Sequence, residues 1–105
     1  MIVRTWHGWT TPADADRYQQ LLTDRIVPGI FERDLPGLRS LDVLRRARDG
    51  EVEFVTIMTF DDHDAVAAFT GGDPTRSVVP AEARAVLARH DEHSQHYDLV
   101  ARFPA

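Results

Sequence analysis

The sequence predicts an α+β fold of the ferredoxin-like, split βαβ kind, with helices on one face of a four-stranded antiparallel sheet. Three observations predict it. The elements read in the order β-α-β-β-α-β. Asp49-Gly50 is a strong two-residue hairpin signal between two long β-rich runs. The stretch EFVTIMTFDDHDAVAAFTGGD, Glu53 to Asp73, joins a strand to a capped helix that ends at a glycine pair.

Each element has a local reason. Ile2 to Trp9 reads as a first strand. Thr11 then Pro12 is an N-cap followed by proline at the first helical position. Tyr18, Leu21, Leu22, Arg25 and Ile26 share a face at helical spacing. Pro28-Gly29 is expected to break or kink that helix, with a last turn reaching Asp34. Leu35-Pro36-Gly37 is a turn, and Leu38 to Ala47 a second strand. Glu51 to Phe60 is the third strand, rich in β-branched and aromatic residues. Asp62 caps the next helix, Asp64 suits its dipole, Ala65, Val66, Ala68 and Phe69 form its stripe, and Gly71 closes it. Pro74 to Val79 is irregular. Pro80 starts a helix expected to run through His90, with Ala83, Val86 and Leu87 inward. Ser94 to Phe103 is the last strand.

At 105 residues the chain reads as one domain, 1–105, with a modest core. The net charge of −5 argues against a nucleic-acid partner. No cysteine is present, which excludes disulfides and thiolate chemistry. Every basic residue is arginine, and asparagine is absent, so neither a Schiff-base lysine nor an asparagine oxyanion donor exists. No run reads as a signal peptide or membrane span, so no membrane partner and a cytoplasmic location are expected.

Both sheet faces are apolar in pattern. Phe54, Met58 and Phe60 point one way, and Val55 and Ile57 the other. Trp6 and Trp9 fall on opposite faces. Tyr97, Leu99, Ala101 and Phe103 form one face of the last strand, with Val100 opposite. One set of helices covers one face, so a second copy is expected on the other, closing the sheets into a shared barrel.

The runs IVRTWHGWT, LPGLRSLDVLRR, EFVTIMTFDDHDAVAAFTG and HYDLV resemble the antibiotic biosynthesis monooxygenase family, of the dimeric α+β barrel superfamily. The resemblance spans nearly the whole chain in element order. It implies a homodimer with a ligand pocket between sheet and helices, and cofactor-independent oxygenation of an aromatic or polyketide-like small molecule. The family also holds haem degraders, and its fold relatives include polyketide cyclases. Two departures stand out. Phe60 occupies a position that is often tryptophan, and the asparagine of the haem degraders has no counterpart. Haem degradation is therefore disfavoured, and no cofactor is expected.

Candidate site residues follow from the strand faces. Arg4, Trp6 and Gly8 share one face of the first strand, and His96 and Asp98 one face of the last, its neighbour. One reading is a pocket in which Trp6 stacks on a planar ligand, Arg4 holds an oxyanion and His96 moves a proton. The other is a cross-strand Arg–Asp pair beside a packed tryptophan. His7, on the opposite face, is the rival base if the protein is a cyclase or isomerase. A third possibility is a non-catalytic ligand-binding dimer. Phe60 and Phe69 can line an aromatic pocket, and Tyr18 or Tyr97 can aim a hydroxyl into it. His90, His93 and His96 have metal-like spacing, but the run crosses an element boundary, so no metal is expected. No dinucleotide fingerprint, P-loop or nucleophile elbow is present.

Overall fold

In the computed structural model, which describes residues 1–105, the first strand β1 spans Ile2–Thr10 and pairs on both sides. One neighbour is β3 (Glu51–Phe60), in a register running from Ile2↔Phe60 to Thr10↔Val52. β2 (Leu38–Arg48) flanks β3. On its other side β1 pairs with two short strands, β4 (Arg89–His90) and β5 (Gln95–Asp98). These two share the place of the expected fourth strand. The sheet order β2-β3-β1-β4, antiparallel throughout, is the ferredoxin-like order.

The β2–β3 turn confirms its sequence signal. Asp49 and Gly50 both have positive φ, 50° and 77°, as a type I′ hairpin turn requires. Gly37 is fixed by φ and space together. Its φ is 84°, and a Cβ there would meet the Ala65 Cβ at 2.7 Å. Helix α3 (His63–Thr70) is capped as expected, with Ala65 N–H donating to Asp62 Oδ1 at 2.9 Å. Gly71 closes it in the left-handed region, its N–H donating to Ala67 O at 2.8 Å.

Three expectations are corrected. Helix α1 (Ala15–Leu21) runs through a π turn, Leu22–Ile26, into α2 (Val27–Glu32) with no break at Pro28-Gly29. Pro28 has no N–H to donate, and the irregularity falls just before it, where Val27 N–H bonds five residues back to Leu22 O. The helix expected through His90 is only α4 (Ala81–Arg84). Free groups on the edge of β1 take the chain instead, with Ala88 N–H on Trp9 O and Asp91 N–H on His7 O. The last strand stops at Asp98, because β1 offers no partner beyond Leu99 N–H to Met1 O. Val100 and Phe103 are therefore exposed and line no sheet face.

Alternate residues of β1 point at the helices: Ile2, Arg4, Trp6, Gly8 and Thr10. Four of those five carry side chains, and one is charged. The core divides at that point. One cluster holds Trp6, Tyr18, Leu22, Phe54, Ala83 and Val86. The other holds Ile2, Met58, Phe60, Val66 and Phe69. Phe54 and Phe60 are wholly buried, each stabilising the fold by roughly 1.5–3 kcal/mol. The opposite face of β1, Val3, Thr5, His7 and Trp9, is half-buried. No helix is long and apolar enough to cross a membrane.

Candidate active site

A cavity of about 60 Å³ lies between sheet and helices, where the two core clusters meet. Trp6, Tyr18 and Leu22 line it from one cluster, and Met58 and Phe69 from the other. Ile26, Val27 and Ile30 close it from the π turn and α2, and Val78, Val79 and Pro80 from the connecting segment. The volume has room for a few waters and falls short of the roughly 150 Å³ that accepts benzene. A ring-sized ligand therefore needs a wall to move.

Arg4 is the charged group on this wall, and it is only 3% exposed. Its guanidinium donates to Pro74 O at 2.7 Å and Arg76 O at 3.0 Å. It also sits 5.4 Å from the centre of the Phe69 ring. No carboxylate pairs with it, as the chain's ion pairs involve other arginines. Burial pulls its pKa down to about 10, so it stays charged at neutral pH. A buried cation held only by neutral acceptors suits a ligand bearing negative charge.

His96 stands beside Arg4, its Nε2 2.8 Å from Nη1. Arg4 has no lone pair to offer, so Nε2 is the acceptor and the ring proton sits on Nδ1. Burial lowers the His96 pKa, with the charges of Arg4 and His63 adding to the effect. His96 is not on the cavity wall. Its contact is with Arg4. Asp98 is exposed and pairs with nothing, so the cross-strand Arg–Asp pair does not form.

Trp6 keeps its ring on the wall through two contacts. Its Nε1–H donates to Asp91 O at 3.0 Å, and the ring lies over Gly8. Tyr18 meets Phe54 edge-on at 4.9 Å, and burial raises its phenol pKa, which keeps the hydroxyl protonated. Phe60 packs on Phe69 behind the wall, outside the cavity. Tyr97 is exposed on the opposite sheet face.

His7 also lies on that opposite face. Its Nδ1 is 2.9 Å from Asp91 Oδ2, which also accepts its backbone N–H at 3.2 Å. Asp91 thus ties both faces together, carboxylate to His7 and carbonyl to Trp6. The Asp91 carbonyl also accepts from His90 Nδ1 at 3.0 Å. Within the metal-like run His90 turns to Asp91 O and His96 to Arg4, and no cluster of three ligating side chains forms.

Sequence reasoning missed Asp91, Thr56, Ser94 and the π turn. Thr56 was readable, because it alternates with Phe54 and Met58 on the inner face of β3. Asp91 lies in an irregular link, where no periodicity marks it.

The same architecture occurs in solved structures. A Bacillus cereus protein assigned as an antibiotic biosynthesis monooxygenase aligns over 100% of this chain and 96% of its own, with TM-score 0.62 and 16% identity. The haem degrader MhuD of Mycobacterium tuberculosis, solved with two haems in its active site, aligns over 99% and 100%, with TM-score 0.61 and 16% identity. SnoaB of Streptomyces nogalater, a cofactor-independent oxygenase, aligns over 98% and 95%, with TM-score 0.53 and 19% identity. The chain shares the ferredoxin-like fold of these proteins. No protein-family model and no curated protein matches the sequence. At these identities the likeness is one of fold, and this fold carries several chemistries in these neighbours alone.

Proposed function

We propose that this protein is a cofactor-independent oxygenase of an aromatic or polyketide-like small molecule, acting as a homodimer. The observation that carries this reading is Arg4: a buried cation without a counter-ion, on the wall of a mostly apolar cavity. A phenol, or a ketone able to form an enolate, supplies the missing anion. Arg4 holds the oxyanion, Tyr18 donates a hydrogen bond, and Trp6 and Phe69 pack on the ring. The electron-rich anion then transfers one electron to dioxygen, the radical pair combines into a carbon-bound hydroperoxide, and loss of water, which breaks the O–O bond, leaves a new carbonyl on the product. SnoaB, with the same fold, supports chemistry without a cofactor.

Ligand entry follows from the same contacts. Arg4 fastens the segment Pro74–Pro80 over the cavity through two carbonyls. An anion that draws the guanidinium loosens that fastening and makes room for a ring. Oxygen uptake with a panel of polyhydroxylated aromatic compounds tests the reading. Uptake abolished by Arg4→Met is expected. Binding of those compounds without uptake would leave a ligand-binding dimer.

A second reading rests on His7. Its Nδ1–H points at the Asp91 carboxylate, which leaves Nε2 free to act as a base. A shallow groove beside it is lined by Leu44, Arg46, Glu53 and Val55. This arrangement suits a cyclase or isomerase that removes a proton without consuming oxygen.

A further inference from the structure

The chain holds twelve arginines and no lysine, against seventeen acidic residues. Six arginines form ion pairs: Arg25, Arg39, Arg45, Arg46, Arg48 and Arg89. Arg4 and Arg33 donate to backbone carbonyls. That leaves Arg17, Arg76, Arg84 and Arg102. Carboxylates are in excess, so scarcity of partners does not explain the remainder. Arg76 and Arg84 line a single groove of about 360 Å³, together with Ser77, His90, Glu92 and His93. In an acidic protein this is a local concentration of unpaired cations and imidazoles.

The groove has a fixed frame. Arg76 and His93 are partners in an antiparallel bridge, which places their side chains on one face. Ser77 N–H donates to Glu92 O at 2.9 Å, and Ser94 N–H to Thr75 O at 2.8 Å. His90 is oriented by its bond to Asp91 O. The groove also adjoins the cavity. Val79 lines both, and the backbone carbonyl of Arg76 accepts from Arg4 while its side chain lines the groove.

We infer that this groove is an anion-binding site for the phosphate or carboxylate head of a small molecule. Two guanidinium groups offer paired N–H donors that match either head, and the hydroxyl of Ser77 adds a second kind of donor. That the same molecule places its ring in the adjoining cavity rests on the oxygenase reading above. The groove's affinity for an anion does not.

Calorimetric titration at low ionic strength, with inorganic phosphate, phenol, phenyl phosphate and benzoate, separates these claims. Wild-type protein is expected to bind phosphate, with roughly tenfold loss in the Arg76→Gln/Arg84→Gln variant, as removal of charge-assisted hydrogen bonds implies. Arg76→Gln keeps the carbonyl that Arg4 needs, and thermal melts check that the variant is folded. Arg17→Gln, which alters an arginine outside the groove, is expected to change nothing. Phenyl phosphate and benzoate report which head is preferred. No heat with any of the three anions, or an equal loss in Arg17→Gln, overturns the site. Phosphate binding without phenol binding upholds the groove and counts against the aromatic cavity. Phenol binding without anion binding does the reverse.

Discussion

The Nη1 of Arg4 and the Nε2 of His96 lie 2.8 Å apart, and the imidazole can accept that bond only while neutral. Protonation removes the acceptor and sets a second cation against the first. Burial, then Arg4, then His63 lower the folded-state pKa of His96 below its ordinary value. The unfolded chain therefore takes up this proton first as pH falls. The associated stability is complete above the unfolded pKa of about 6.5 and is lost as pH falls through the lower folded value. His96→Gln offers Arg4 an amide oxygen that does not titrate. Urea unfolding at a series of pH values is expected to show a shallower loss below about 6.5 in this variant than in wild type. Identical slopes would mean that the two groups are not coupled.

Gly8 controls the cavity wall through space alone. A methyl group there would sit 2.6 Å from Trp6 Cη2 and 3.0 Å from Leu87 Cδ2. The indole must then swing away from its place over the strand. Gly8→Ala is expected to destabilise the protein by about 1–3 kcal/mol, the range for overpacked cores. Made in a Trp9→Phe background, it is expected to shift the fluorescence of Trp6. An unchanged spectrum with full stability would show that the ring has another place to rest.

Thr10 gives a prediction of opposite sign. Its Oγ1 is buried with no hydrogen-bond partner, on a wholly buried residue at the end of β1. Valine matches its shape and its preference for strands. Thr10→Val is expected to raise stability by about 1 kcal/mol, since an unsatisfied hydroxyl is removed from the core. Thermal or urea denaturation reads this directly. A loss of that size would place a bound water on the hydroxyl.

The extent to which the sequence announced this molecule depended on the kind of contact involved. β1, β3 and α3 were legible because alternation, capping and glycine closure are local. Phe54, Met58 and Phe60 share a face for the same reason. The irregular link from Pro74 and the helix start at Pro80 were legible, but the stretch from Ala85 to Gln95 was not. Its course is set by the unpaired edge of β1, which captures Ala88 and Asp91 through carbonyls of Trp9 and His7. Nothing in the residues themselves encodes that capture. The site shows the same division. Arg4, Trp6, Tyr18 and Phe69 were reached by periodicity, and all four line the cavity. Asp91 and the wall from Val78 to Pro80 depend on long-range hydrogen bonds.

The half-buried face of the sheet bears on assembly. Val55 lies between His7 and Leu44 in register, and Leu44 is 48% exposed with Tyr97 at 57%. A second copy is expected to cover this face. Val55→Glu would place a charge in the middle of that contact, where desolvation opposes it. Light scattering at micromolar concentration is expected to give a dimer mass for wild type and a shift toward monomer for the variant. A monomeric wild type would contradict the shared-barrel assembly.

His7 and His96 remain the two rivals for proton transfer, and the geometry separates their roles. Nε2 of His96 is directed at Arg4, so on the oxygenase reading this residue would act on an anionic ligand through the guanidinium. His7 leaves its Nε2 free while Asp91 fixes the ring. His96→Gln retains an acceptor for Arg4, and is expected to keep oxygen-dependent turnover within a few-fold of wild type. His96→Leu leaves Arg4 one partner short and is expected to weaken anionic ligands, raising KM more than it lowers kcat. His7→Gln is expected to leave oxygenation intact, because His7 lies on the far side of the sheet from the cavity. A loss of roughly a hundredfold or more in His7→Gln, the scale of a removed general base, would move the chemistry to the open face. Turnover without oxygen uptake would then accompany it, as a cyclase or isomerase requires. A hundredfold loss in His96→Gln with KM unchanged would instead make His96 the base.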